Sequence, residues 1–472
     1  MALLLVASVS HGQVMTIDLK QAIRMAQENS FEYKVAKNRE QSSLWRFRNF
    51  KTTFLPTLYL DGVVPNYTRA INRITLPSGE DTFVSQNQAY SSLNLSVRQN
   101  VGLTGGTFSV GSSINRIDVF GNDSQKRYSS TPFSISYNQQ ALGYNSFKWL
   151  KRIEPLRYEA SERQFRVDME RISSQTVSYY FSTLAAKSRL DLSAQNLANA
   201  DTLYRIAQDR FSLGNVGKGD LLQLKLSTLN ARKQLTQDSV DFVLAKQQFS
   251  RYLLIMGDVD ISPADSSVTF FDVNFQDALA HAMNNSQEVI DFRLQRLEAE
   301  HSVAETKAQT GLKFNLQANF GVTNTAPRIG DLLHGMESQQ QVSVGFSMPI
   351  LDWGYAKTQR QQAEANLAIV EGEVQQKELL LEQEVALYTA RWNLHRQQFV
   401  IAKETRTLAE ENYKLQMDRF LKGTISINDL NISQQQKDNA ANTYIQALQV
   451  YWDLYYTLRR LTLYDFEQGM RL

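Results

Sequence analysis

One stretch of this chain occurs twice. YRIAQDRFSLGNVGKGDL (Tyr204 to Leu221) returns as YKLQMDRFLKGTISINDL (Tyr413 to Leu430), identical at seven of 18 positions and displaced by 209 residues. The same displacement aligns FSISYNQQALGY (Phe133 to Tyr144) with VSVGFSMPILDW (Val342 to Trp353), so neither copy carries an insertion between these landmarks. Near the start, DLKQAIRMAQENS (Asp18 to Ser30) matches NFQDALAHAMNNS (Asn274 to Ser286) at a displacement of 256, which leaves 47 extra residues in the first copy between about 62 and 133. A repeat of this length requires internal pseudo-symmetry, each copy supplying the same succession of elements. The expected division is a first repeat over residues 13–272 and a second over 273–472. The opening ALLLVAS followed by Ser10-His11-Gly12 reads as the remnant of a secretory signal over residues 1–12.

Two kinds of segment alternate within each copy. From Leu156 to Leu213 there is no Gly or Pro, and from Tyr355 to Leu421 only Gly372 interrupts. At ~1.5 Å per residue such runs predict helices of roughly 90 to 100 Å, which only a coiled coil or helical barrel can support. Large side chains recur every seven residues at Leu190, Leu197, Tyr204 and Phe211, with small ones at Ser193, Ala200, Ala207 and Gly214. The second copy gives Phe399, Arg406, Tyr413 and Phe420, with Ala402 and Ala409 between. That seven-residue rhythm marks a supercoiled seam, which Arg406 interrupts. Gly214 and Gly423 suit left-handed helix caps. Fresh helices follow, so helical hairpins are expected over residues 144–256 and 354–467.

The other segments alternate strictly. Leu312, Phe314, Leu316, Ala318, Phe320 and Val322 interleave with Lys313, Asn315, Gln317, Asn319, Gly321 and Thr323. That is a strand with one apolar and one polar face. The same pattern holds around Leu93 to Arg98, Phe108 to Asn115, Phe133 to Asn138 and Val342 to Met348, and more weakly from Leu58 to Tyr67. Strand regions are therefore expected at about 57–140 and 312–348. Runs of ~10 alternating residues fit a transmembrane β-barrel, and a soluble sandwich would alternate similarly. Tyr59, Tyr144, Trp149, Trp353 and Tyr355 lie near strand ends, as an interfacial girdle of aromatic residues would.

Composition excludes more than it suggests. A net charge of +2 gives nucleic acid no basis for binding, and the absence of cysteine fits an extracytoplasmic setting without disulfides. No run approaches the ~18 apolar residues of a membrane-spanning helix. His11, His281, His301, His334 and His395 are scattered without metal-ligand spacing. No phosphate loop or nucleophile elbow is present, so neither an enzyme nor a cofactor is expected. A fibrous trimeric coiled coil or adhesin-like surface protein would account for the long helices, but not for strand and helical hairpins alternating in two copies.

The duplicated helix motifs ending at Asn29 and Asn285, the paired hairpins and the duplicated tips ending in Asp-Leu resemble the TolC family of outer-membrane efflux channels. The resemblance covers essentially everything after the signal. It implies an α+β membrane protein: a homotrimer whose strands form one transmembrane barrel in outer-membrane lipid and whose helices continue it as a coiled-coil barrel through the periplasm of a Gram-negative bacterium. It further implies a passive duct, joined through a periplasmic adaptor (membrane fusion) protein to an inner-membrane pump of the RND, ABC or MFS type.

The same resemblance places a gate at the tips, with Asp220 and Asp429 ringing the pore. Ser426-Ile427-Asn428-Asp429 also reads as a helix capping box, and Asp220 as a complement to a helix dipole. The family's second aspartate is Ile432 here, its latching tyrosine is Phe420 and its latching arginine is Ile425. The expectation is an apolar constriction of Phe420, Ile425 and Ile432 beside acidic rings. Arg210, Phe211, Leu213, Gly214, Leu221, Arg419, Gly423 and Leu430 are the expected adaptor contacts, with Leu213, Val216, Leu221 and Leu430 as exposed apolar knobs. The family's Asn-Pro is Asn29-Ser30 and Asn285-Ser286 here. The 47 extra residues match two strands and their loops, giving six candidate strands where the family uses four per protomer.

Overall fold

The computed structural model describes residues 15–121, 124–140, 143–214, 216–257, 259–262 and 268–472. The expected signal remnant lies outside these residues. The order of elements is β1 (Met15–Ile17), α1 (Leu19–Asn29), α2 (Phe31–Thr52), β2 (Thr57–Thr75), β3 (Asp81–Asn100), β4 (Thr107–Val119), β5 (Gln125–Gln139), α3 (Ser146–Ser212) and α4 (Lys218–Tyr252). It continues with β6 (Val259–Ile261), α5 (Phe275–Asn285), α6 (Gln287–Gln309), β7 (Lys313–Ala326), β8 (Glu337–Ser347), α7 (Tyr355–Leu421) and α8 (Ile427–Thr462). Two short strands, β9 (Tyr464–Asp465) and β10 (Met470–Arg471), close the chain. Helix pair, strands, helical hairpin is thus the succession in both halves.

Local chemistry explains the boundaries. Asp18 caps α1, accepting a hydrogen bond from the Gln21 N–H at 2.7 Å while the Gln21 side chain returns one to the Asp18 N–H. Ser30 and Ser286 end α1 and α5 with ψ near 159° and 149°, so the Asn-Ser pairs turn the chain without proline. α3 starts earlier than the Gly- and Pro-free run, passing through Pro155. Pro155 lies inside the helix rather than in its first turn, so it removes one backbone hydrogen bond and favours a kink there without ending the helix.

The chain forms two compact units, each drawing on both sequence copies. The first contains residues up to 41, 160–290 and 377–472. Its core joins Ile17, Ile23, Ile172, Tyr180, Phe181, Phe249, Val259, Phe399 and Leu448. β1 and β6 pair in parallel here, and the Tyr180 hydroxyl donates to the Ser262 carbonyl at 2.5 Å. Along α7 the seven-residue rhythm is real: Val385, Trp392, Phe399 and Tyr413 are buried, and the interrupting Arg406 is exposed with its guanidinium 4.9 Å from the Tyr444 ring. At the end of α8, Arg459 bridges Glu170 at 2.8 Å and Asp465 at 2.5 Å, both carboxylates being buried.

The second unit contains residues 42–159 and 291–376. It holds one six-stranded sheet in the order β2-β3-β4-β5-β7-β8, with every neighbouring pair antiparallel. The six alternating segments read from the sequence fall in these strands, apart from Leu312 and Met348, each one residue outside the end of its strand. β2 and β3 run well beyond the predicted alternation, to 19 and 20 residues.

Candidate functional site

The register gives the sheet two chemically distinct faces. Leu58, Val97, Val110, Ile135 and Phe320 lie side by side across five strands. Phe314 beside Phe346 and Leu316 beside Val344 extend the same apolar face. The opposite face carries a rung of Thr57, Arg98, Ser109, Ser136, Asn319 and Gln341, one residue from each of the six strands. Leu58, Leu60, Val342, Val344 and Phe346 stand more than half exposed, up to 75% for Phe346. An apolar band of this size open to its surroundings marks a lipid or protein contact. Among the described residues no helix is long and apolar enough to cross a membrane.

Of the expected interfacial aromatics, Tyr59 is reassigned. It alternates with Leu58 and Leu60 and so belongs to the polar face, where Arg98 stacks over its ring at 4.6 Å while binding Asp61 at 2.6 Å. Trp353 and Tyr355 are exposed at the turn from β8 into α7. Tyr144 and Trp149 are half-buried around His301, the Tyr144 hydroxyl meeting Nε2 at 2.7 Å.

In the first unit the two helical tips share a small core of Leu203, Ala207, Leu224, Tyr413, Ile427 and Leu430, with Leu221, Phe420 and Ile425 packed at its edge. Leu430 is 1% exposed, which corrects its expected role as a surface knob. The cause is its position: one turn into α8 it faces α3 and α4 rather than solvent. Leu213 is 74% exposed, Phe211 41% and Ile432 55%, while Asp220 and Asp429 are both exposed.

The tip turns use left-handed glycine. Gly214 and Gly423 have φ of 78° and 76°, and at Gly423 the Thr424 N–H bonds the Arg419 carbonyl at 3.0 Å, closing the helix. A Cβ at Gly423 would meet nothing within 4 Å, so only backbone strain opposes alanine. Gly423→Ala is expected to cost about 1 kcal/mol and to raise amide exchange of the turn roughly fivefold, read by hydrogen–deuterium exchange.

Asp429 is engaged in the anticipated capping box. It accepts from the Ser426 hydroxyl at 2.7 Å and the Ser426 N–H at 3.1 Å. The hydroxyl first, then the N–H, hold its carboxyl below the usual aspartate range, so it is ionised at neutral pH. Three links had no sequence signal. Arg210 donates to the Leu421 carbonyl at 3.0 Å, Gln223 donates to Asn428 at 2.8 Å, and Asn199 donates to the Tyr413 hydroxyl at 3.0 Å. All three tie α3 or α4 to α7 or α8 through single polar side chains.

Residues 278–462 match the family model described as outer membrane efflux protein. No curated protein matches the chain. The fold is similar to the CmeC outer membrane channel of Campylobacter jejuni, with a TM-score of 0.67 at 16% identity, covering 94% of this chain and 85% of that one. It is also similar to VceC of Vibrio cholerae, with a TM-score of 0.65, 13% identity and coverage of 94% and 95%. MtrE of Neisseria gonorrhoeae, an outer membrane channel solved in its open state, gives 0.63 at 13% identity over 94% and 88%. The family model thus matches the second half of the chain, and the solved channels share its fold along most of its length.

Proposed function

We propose that this chain is the protomer of a homotrimeric, passive exit duct of a tripartite efflux system in the outer membrane of a Gram-negative bacterium. The observation that carries the reading is the sheet. Its apolar face is exposed, its other face is lined by Ser, Asn, Gln and Arg, and among the described residues nothing pairs with the outer edges of its outermost strands β2 and β8. Long open strand edges cannot stand in lipid, so closure requires further copies of the chain. The polar face then lines water and the apolar face meets acyl chains.

In this reading the helices continue the duct through the periplasm and the tips gate it. Asp220 and Asp429 form acidic rings, Ile432 projects an apolar ring, and Phe420 and Ile425 back it from the tip core. Splaying of the two hairpins opens the passage when a periplasmic adaptor docks. Arg210, Phe211, Leu213, Gly214, Leu221, Arg419 and Gly423 form the docking surface, and the adaptor couples the duct to an inner-membrane pump of RND, ABC or MFS type. Trp353 and Tyr355, with Tyr144 and Trp149 behind them, mark the periplasmic membrane boundary.

The test is single-channel recording of the detergent-extracted protein in planar bilayers under a salt gradient. The expected result is small, cation-selective events from a species that migrates as a trimer until heated. A protein that never enters the bilayer would overturn the duct in favour of a fibrous surface protein.

A further inference from the structure

We propose that the extra hairpin β2–β3 is an integral part of the membrane wall, and that three copies close an eighteen-stranded barrel through a β2–β8 seam. The inference rests on the trimeric duct proposed above and adds the barrel's size and the residues at its seam.

Three independent features support it. First, β3 is not an appendage: Gln88 to Asn100 pairs continuously with Thr107 to Val119 of β4. Leu58, Leu95 and Val97 continue the apolar face, and Tyr59, Ser96 and Arg98 the polar one, so the hairpin shares the division between lipid and water. A hairpin laid against a finished barrel would bury one face on it and would have no cause to match both.

Second, the β3–β4 turn is fastened to the helix ends that border the sheet. Asn145, just before α3, donates to the carbonyls of Gly102 and Leu103 at 3.1 and 2.9 Å. Asn100 donates to the Thr53 carbonyl at 3.0 Å and Gln99 to that of Phe54 at 3.3 Å, while the Lys151 ammonium lies 4.8 Å from the Phe54 ring centre. The inserted strands are therefore anchored at the same level as β5 and β7.

Third, the free edges fit each other. Six antiparallel strands leave β2 and β8 running in opposite directions, so joining β8 of one copy to β2 of the next continues the alternation around a closed ring. Leu58 and Leu60 then continue the apolar band of Val342, Val344 and Phe346. Pro65 sits where β2 slips register, between Val63 and Asn66, which confines the seam to about Thr57–Val63. Beyond it the hairpin rises as a two-stranded ribbon, since Ser85, Val84 and Phe83 pair only with β2. Eighteen strands, as in large porins, enclose an open aqueous lumen, so the barrel would not be the constriction.

Because the chain contains no cysteine, paired substitutions report directly on the seam. Tyr59→Cys with Gly345→Cys and Asp61→Cys with Ser343→Cys, which share one antiparallel register, place thiols on the polar faces of β2 and β8. Ser109→Cys with Ser343→Cys probes the alternative in which β4 is the edge and twelve strands close the barrel. After mild oxidation of outer-membrane fractions, the expected result is covalent trimers from a β2–β8 pair and none from the β4–β8 pair. Crosslinking through Ser109, or intact non-covalent trimers that no β2–β8 pair joins, would overturn the eighteen-stranded barrel and leave the duct standing. Absence of any trimer on unheated gels would overturn both. A strand count from electron microscopy of the purified trimer reads the same difference, eighteen against twelve.

Discussion

Replacing Arg459 with methionine is expected to destabilise the helical unit by about 3–5 kcal/mol, lowering its unfolding temperature by on the order of 10 °C when followed by circular dichroism. The guanidinium is 17% exposed and holds two carboxylates that are more buried still, Glu170 at 6% and Asp465 at 1% by side chain. It reaches Glu170 through Nε at 2.8 Å and Nη2 at 3.0 Å, and it donates to the Tyr455 hydroxyl at 3.1 Å. Tyr455 in turn lies 3.1 Å from an Asp465 oxygen, so removal of one cation leaves two charges in a low-dielectric site.

The defect should depend on pH with a definite sign. Burial already pushes the Glu170 carboxyl up, against the opposing pull of Arg459. Without the arginine that pull is gone and the folded-state value rises further above the unfolded one. A raised carboxyl contributes stability below the unfolded value of ~4.3 and loses it as pH climbs through the folded value. The Arg459→Met defect should therefore be large at pH 7 and shrink toward pH 5. Adding Glu170→Gln and Asp465→Asn should recover most of the lost stability at pH 7. An equal defect in all these backgrounds would mean lost packing rather than stranded charge.

The fold's outline was legible where one residue type has one structural use. Strict alternation from Leu312 to Val322 can only be a two-faced strand, and Gly214 and Gly423 end helices because the left-handed turn there excludes most side chains. The ribbon tip was not legible, since Tyr67 to Thr75 mixes apolar and charged residues on both faces where neither face is buried. The reassignment of Tyr59 has a similar cause: an aromatic at a strand end reads as interfacial until its parity with Leu58 and Leu60 is applied. Leu430 is buried although it lies near a turn, because position near a turn says nothing about which side of a helix a residue faces. The clasp from Arg459 to Glu170 joins residues 289 apart, and no local pattern encodes such a partner. The docking residues proposed at the tips have the same problem: a partner's surface leaves no periodicity in this chain.

Neutralising the proposed acidic rings should abolish most ion selectivity. The double variant Asp220→Asn with Asp429→Asn is expected to lower the cation-over-anion permeability ratio by about tenfold, read as reversal potential in a salt gradient. Asparagine is the informative replacement because Asp429 also closes the α8 cap. An alanine there would remove the acceptor for the Ser426 N–H and confuse lost charge with a frayed tip, at about 0.5–2 kcal/mol. The amide keeps an acceptor oxygen and removes only the charge. Selectivity should be strongest in dilute salt, where screening extends over ~30 Å at 0.01 M against ~3 Å at 1 M. It should also resist acid, because the Ser426 hydroxyl and N–H hold the Asp429 carboxyl below the usual range. A ring carried by Asp429 therefore keeps its charge, and its selectivity, to lower pH than an ordinary aspartate would. Selectivity unchanged in the double variant would remove the acidic rings from the mechanism. Ile432, with Phe420 and Ile425 behind it, would then be the whole of the barrier.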